Sequence, residues 1–255
     1  MTTVPDTADI VARRRAILTA LSSPKTKPEL VEDVDASRST VDRAIETLTD
    51  AALVERTGSR YRTTYAGRES LRAYERFLDR LDALQAAQPV LQDLSLEAEI
   101  PPEALEGAEV VEATMAAPHA PIERATTLGD GATRLYGTGP AVLPKYIAEI
   151  SELLEDGDET ELVLSKAVVE AFRESYPDAF EQFAGSDNIE IHVTEQALPC
   201  LIWIAVKPEE TVSGIIVHTE NGVRGAIHND TDAMNEWTRE QYRQFKADAR
   251  PLDGA

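Results

Sequence analysis

The segment from Ala36 to Tyr65, ASRSTVDRAIETLTDAALVERTGSRYRTTY, constrains the fold of this chain more than any other. Ser37 is a helix-capping residue type, and the positions after it put Val41, Ala44, Ile45 and Leu48 on one face of a 3.6-residue period. Arg38, Ser39, Asp42 and Arg43 lie away from that face. The spacing predicts a helix with a buried back and a polar, partly basic front. Leu53-Val54-Glu55-Arg56 follows, then a turn at Thr57-Gly58-Ser59, then Arg60-Tyr61-Arg62-Thr63-Thr64, which alternates as the second strand of a hairpin does.

Two shorter helices are expected upstream. Asp9 to Leu21 places Ile10, Ile17, Leu18 and Leu21 near helical spacing before Ser22-Ser23-Pro24 ends it, and Lys27 to Asp33 carries Pro28 in its first turn. Three helices and a basic hairpin within about 65 residues make a winged helix-turn-helix, whose recognition helix enters the major groove while the wing touches the adjacent backbone. Residues 1–66 are therefore expected to bind double-stranded DNA. The contacts are assigned to Ser37, Arg38, Ser39, Thr40 and Arg43 on the helix, Lys27 beside it, and Arg56, Ser59, Arg60 and Arg62 on the wing. A three-helix bundle with no DNA role has the same periodicities; the arginines gathered on the two docking elements argue against it.

From Gly67 to Gln88 the pattern becomes a long helix, with Leu71, Tyr74, Leu78 and Leu81 alternating three and four apart and Phe77 and Leu84 widening the stripe. Pro89 is expected to stop or kink it. Packing on its own domain is one use of such a stripe; pairing across the two-fold axis of a homodimer, through Leu71, Tyr74, Leu78 and Leu81, is preferred here because operators are commonly two half-sites. Residues 67–107 are thus a linker and dimerisation segment, ending in the acidic connector Leu94 to Gly107.

A different pattern fills residues 108–250. Strands are predicted at 109–115, 161–165, 189–194, 200–206, 212–217 and 222–227, and helices at Pro140–Leu154, Lys166–Phe183 and about Thr231–Ala247. Strands alternating with helices, then a meander, then a helix, predict a mixed sheet with helices packed on it.

Composition narrows the partners. The net charge of −21 argues against nucleic acid until its distribution is read: residues 1–80 hold 14 Lys+Arg against 13 Asp+Glu, leaving 11 against 33 for the remainder. An acidic surface with only 6 lysines is the expectation for a salt-loaded cytoplasm. No run reaches the roughly 20 apolar residues of a membrane helix, and the first residues lack the basic and apolar regions of a signal peptide, so no membrane partner and a cytoplasmic location are expected. Cys200 is the single cysteine, which excludes an intrachain disulfide and a cysteine-rich zinc site.

Taken together, Arg15 through Tyr65 with LVERTGSRYRTTYAGRE at the wing and its exit, LYGTGPAVLPKYI, ELVLSKAVVEAF and the C-terminal NDTDAMNEWTREQYRQF resemble the archaeal winged-helix regulators of the methanogenesis-regulator type, carried in many copies by haloarchaea. In that family the C-terminal domain resembles the sugar-sensing domain of TrmB-type proteins, itself similar in fold to the phospholipase D family. The resemblance implies an α+β chain: a winged helix-turn-helix, a linker helix, and a phospholipase D-like sheet with flanking helices that binds a small effector, a sugar or sugar phosphate by analogy. It implies a ligand-responsive transcription factor with no cofactor.

An enzyme of the phospholipase D type needs His and Lys two apart. Here His119, His192, His218 and His228 are followed two positions on by Pro121, Thr194, Glu220 and Asp230, so a hydrolase is disfavoured; a protein-interaction adaptor built on the winged helix is the other alternative. His192, Cys200, His218 and His228 match no zinc-ligand spacing, and no metal is expected. Gly129-Asp130-Gly131 and Gly137-Thr138-Gly139 lack the Gly-Lys-Ser/Thr ending of a phosphate loop. What remains is position: ligands of open sheets sit outside the carboxyl ends of strands, at helix N-termini. Gly139, the Ser165-Lys166 junction and Asn229-Asp230 open three predicted helices and are expected to converge, with Arg134 and Lys166 as nearby cations and His192 and Thr194 on an intervening strand.

Overall fold

The computed structural model describes residues 3–94, 99–141, 159–220 and 222–252. It divides into two compact units, Met1–Leu81 and Asp82–Ala255. The predicted helix Pro140–Leu154 falls almost wholly outside the described residues.

In the first unit, α1 (Val4–Ala20), α2 (Lys27–Asp33) and α3 (Arg38–Asp50) precede a hairpin of β1 (Val54–Thr57) and β2 (Arg60–Thr63). Thr3 with Asp6, and Thr26 with Glu29, form reciprocal capping boxes that start α1 and α2; α1 thus begins earlier than its apolar pattern suggests. Val11, Leu18, Leu30, Val41, Ile45, Leu48 and Leu53 close one core. Across the hairpin Thr57 pairs with Arg60, and Gly58 supplies the left-handed conformation (φ 65°) of the turn. β2 is also bridged on its free side by Lys25, whose backbone exchanges hydrogen bonds with Tyr61, a contact that the sequence does not announce.

Helix α4 (Tyr65–Leu91) runs on through Pro89 instead of stopping there. Gly67 lets it start against the β1 entry: a Cβ there would lie 2.0 Å from the Leu53 carbonyl oxygen. Leu71 and Tyr74 pack against the winged-helix core, whereas Phe77 and Leu81 stay exposed at 53% and 47%. The stripe read as one seam is therefore divided, because its first two apolar residues are consumed within the unit.

The second unit is an eight-stranded mixed sheet. Its strands are β3 (Glu109–Glu112), β4 (Arg134–Gly139), β5 (Glu159–Ser165), β6 (Ile189–Thr194), β7 (Leu201–Val206), β8 (Thr211–Thr219), β9 (Gly222–Asn229) and β10 (Arg250–Pro251), in spatial order β10-β6-β5-β4-β7-β8-β9-β3. Among the described strands only β4, β5 and β6 are mutually parallel; the other pairings are antiparallel. One face is covered by α6 (Ala120–Gly129), α7 (Lys166–Ser175) and α8 (Pro177–Ala184); the other by α9 (Asp232–Ala247), α5 (Pro102–Leu105) and the end of α4. The helix expected from 166 to 183 is two helices, because a residue before proline is pushed out of the helical region and Tyr176, ahead of Pro177, sits at φ −141°, ψ 60°.

Central strand β4 and helix α6 were not predicted. Gly137 and Gly139 dilute the strand signal of β4, and they are glycines because the neighbouring strand crosses close: a Cβ at Gly139 would come within 2.4 Å of Leu164 Cδ2. Helix α9 is fixed to its face by a buried polar network. Asn235 donates to the Thr211 and Asp230 carbonyls (2.9 and 3.1 Å) and accepts from Ser213 Oγ (2.7 Å), which in turn accepts from Thr238 (2.9 Å).

Candidate DNA interface and sensor end

The N-terminus of α3 is built from hydroxyls. Ser37 Oγ accepts from the Thr40 amide (3.2 Å) and lies 3.0 and 2.8 Å from the hydroxyls of Ser39 and Thr40, all on the exposed side. With Val41, Ala44, Ile45 and Leu48 buried, Arg38 and Arg43 project from the outer surface. Arg43 also borders a groove of about 430 Å³ between α1 and α3, with Arg14, Glu46 and Asp50.

The other cations of the interface are already engaged. Lys27 Nζ is 2.7 Å from Asp42 and 5.7 Å from the centre of the Tyr61 ring, whose surroundings Arg56 shares at 6.0 Å. Arg56 bonds the Gly58 carbonyl (2.8 Å) beside Ser59 at the wing tip. Arg60 donates to the Pro24 carbonyl (2.8 Å) and pairs with Glu29 (3.2 Å), and Arg62 pairs with Glu55 (2.6 Å). Hydrogen bonds from the Thr26 amide and hydroxyl hold the Glu29 carboxyl below its ordinary range, with Arg60 adding to them; Lys27 does the same to Asp42. Among the described residues, Arg38 and Arg43 are the interface arginines with no hydrogen bond to a protein group, and of the two Arg38 acts through its charge on the Asp42 carboxylate. The sequence reading missed the roles of Glu29, Asp42 and Glu55; the Thr-x-x-Glu capping pattern at Glu29 was the one local signal.

The sensor residues do not all meet. Gly139, Ser165 and Thr194 end the three parallel strands side by side, with Gly139 registered to Leu164 and Ser165 to Thr194. Ser165 caps α7, Thr194 is fully buried, and Lys166 pairs with Glu195 (3.3 Å) on the surface. Asn229, Asp230 and Arg134 lie at the opposite end of the sheet. The reason is strand direction: Asn229 pairs with Ser213, Ser213 with Ile204, and that end of β7 pairs with Arg134 at the start of β4. Asn229 is moreover committed to structure, donating to the Ala104 and Glu106 carbonyls (3.2 and 2.9 Å), while Thr231 caps α9. The expected convergence of three helix openings is therefore corrected to one end holding Gly139, Ser165, Lys166 and Thr194.

His192 is buried on the α9 face, its Nε2 2.9 Å from Glu190 and 3.9 Å from Glu161. Glu161 accepts from Tyr242 (2.6 Å) and pairs with Lys246. Burial pulls the Glu161 carboxyl up, but Lys246 and Tyr242 outweigh it and leave it below the usual range; burial and that carboxylate drive the Tyr242 phenol far above its own. Arg134 bonds Tyr136 (3.4 Å) and pairs with Glu159. Cys200 is buried, its thiol pushed up to about 12 by desolvation, so it is a packing residue. Among the described residues no group of three or more His, Cys, Asp or Glu could hold a metal ion, and no helix is long and apolar enough to cross a membrane.

Comparison with known proteins bears on both units. The family described as HVO_A0261 N-terminal domain matches residues 5–86, and that described as methanogenesis regulatory protein FilR1, middle domain, matches residues 118–248. A search of curated proteins finds no match. Similar solved structures include TrmBL2, an archaeal chromatin protein (10% identity, 98% of this chain and 100% of that one, TM-score 0.44). Polyphosphate kinase from Porphyromonas gingivalis (15%, 57% and 24%, 0.38) and phosphatidylserine synthase from Haemophilus influenzae (12%, 57% and 39%, 0.40) align over smaller shares. With the FilR1 middle-domain match spanning half of its length, the chain belongs to the FilR1 family of methanogenesis regulatory proteins and is a transcriptional regulator.

Proposed function

We propose that this regulator binds double-stranded DNA as a homodimer in the cytoplasm, and that its sheet unit senses a small polar metabolite that alters operator affinity. The observation that carries the DNA reading is α3: its apolar face is consumed in the core while Arg38 and Arg43 stand exposed beside a wing that bears Arg56, Arg60 and Arg62. Arg43 reads base edges and the wing arginines hold phosphate. The dimer contact is assigned to the exposed side of α4 at Phe77 and Leu81, with Leu78 partly buried beside them. The effector, a sugar or sugar phosphate, is assigned to the end of the sheet at Gly139, Ser165, Lys166 and Thr194, where the N-terminus of α7 presents amide donors and Lys166 a positive charge.

Gel-shift titration on an operator recovered from the genome tests the reading. Arg43→Ala should cost about 1–3 kcal/mol and relax preference at one position, while Arg60→Ala should weaken all sequences alike. Unchanged affinity in both, or no DNA binding at any salt, would leave the winged helix as a protein-contact module.

A further inference from the structure

Three of the six cations on the docking elements arrive neutralised. Lys27–Asp42 ties α2 to α3, Arg60–Glu29 ties the wing to α2, and Arg62–Glu55 bridges the two wing strands. All six side chains are between 35% and 55% exposed, so solvent and phosphate reach them without unfolding. Exposed pairs of this kind are individually weak and exchange readily. Each anion comes from a different element, Glu29 from α2, Asp42 from the polar side of α3 and Glu55 from β1. The pairing therefore covers the whole basic front except Arg38, Arg43 and Arg56.

Resting on the DNA reading above, we infer that Glu29, Asp42 and Glu55 are built-in counter-anions that compete with DNA phosphate for Lys27, Arg60 and Arg62, making the affinity of this domain for DNA less dependent on salt than its six cations would otherwise make it. A protein cation that replaces the condensed cations on a phosphate releases them, and each such contact contributes about −0.9 to the slope of log K against log salt. When the cation first leaves its own carboxylate, that carboxylate faces the phosphate and gathers salt cations in turn, so the net release approaches zero. Six free cations per domain would give a slope near −5; with three of them exchanged against carboxylates it is near −3. In a dimer both values double and their ratio stays.

The test uses the full chain and a short mixed-sequence duplex, with fluorescence anisotropy across a salt series. The variant Glu29→Gln/Asp42→Asn/Glu55→Gln removes the three charges and keeps the shapes; glutamine at position 29 also preserves the capping box. It should bind more tightly at low salt with a slope steeper by about 2–3 per domain, so that its advantage shrinks roughly 80-fold for each bound domain between about 0.1 and 0.5 M salt, and by about the square of that factor where a dimer engages both. Glu69→Gln, which frees Arg72 on α4, is the control and should leave the slope unchanged. Parallel lines for wild type and triple variant overturn the inference even where DNA binding is strong. Failure of every protein to bind the duplex at any salt overturns the DNA reading itself, and this inference with it. Should the triple variant melt at a much lower temperature, the wing variant Glu55→Gln alone decides the matter, with an expected change in slope of about 1.

Discussion

Asn235 is the centre of the buried polar network that ties α9 to the sheet, and replacing it gives a sharp test of how this unit is built. It is 6% exposed and makes three hydrogen bonds, one accepted from Ser213 and two donated to the Thr211 and Asp230 carbonyls. At about 1 kcal/mol per bond, Asn235→Ala should cost about 3 kcal/mol. For a domain of this size that lowers the melting temperature by about 6–12 °C. Ser213→Ala should cost less, since the Thr238 hydroxyl can then turn its one proton to the Met234 carbonyl (2.8 Å). Asn235→Asp is the discriminating change: it keeps the shape and the bond from Ser213, but turns two donors into an oxygen facing two carbonyl oxygens, so it should be at least as damaging as alanine. Both tryptophans, Trp203 and Trp237, lie in the sheet unit, so tryptophan fluorescence during heating reports on it without interference from the winged helix. A melting temperature for Asn235→Asp within about 2 °C of wild type at neutral pH would refute the reasoning, because no network of buried donors could then be supporting α9.

Three other outcomes are expected. Leu81→Glu should give a monomer by light scattering with an unchanged melting temperature, whereas Leu71→Glu should destabilise the winged helix because Leu71 packs on its core. Gly214→Ala should prevent folding of the sheet unit, since its Cβ would meet backbone at 2.4 Å (Ile227 oxygen) and 2.9 Å (His228 Cα); Gly139→Ala should only lower its melting temperature, since it meets the movable end of Leu164. Burial drives the His218 imidazole down to about 4. Its folded value lies below the unfolded value of about 6.5, so the unfolded chain takes up the proton first; stability is full above that pH and falls by about 2 kcal/mol by pH 5. Burial also holds His228 low, which adds to the loss, and His218→Gln should flatten the fall in melting temperature between pH 7 and 5 without abolishing it.

The first unit was legible because its signals are local: Ser37 as cap, and Val41, Ala44, Ile45 and Leu48 as buried face, are the residues that do these jobs in the structure. Periodicity says that a face will be covered but not by what, which is why Leu71 and Tyr74 could be read as a seam between chains while they pack on their own domain. The sensor end depended on strand direction. The meander makes β9 antiparallel to β8, but nothing in the residues around Asn229 reveals how β7 joins the parallel strands at β4, and that pairing carries Asn229 to the end of the sheet away from Ser165. Strand β4 was hidden for a related reason, since its glycines answer to Leu162 and Leu164 on another strand. Of the carboxylates that neutralise the basic front, Glu29 alone carried a local signal, its capping pattern; the ion pairs themselves are made across elements.

The pairing of β3 with β9 has a consequence during synthesis. Glu109 to Glu112 cannot find their partners, Gly225 to His228, until the far end of the domain has left the ribosome. At about 5–20 residues per second that wait lasts roughly 6–20 s. The winged helix, which lies in the compact unit of the first 81 residues, is complete before it begins. Each nascent chain thus passes through an interval in which its N-terminal headpiece is finished and its sheet is not, and translation that halts in that interval releases a folded winged helix joined to an unpaired, acidic tail.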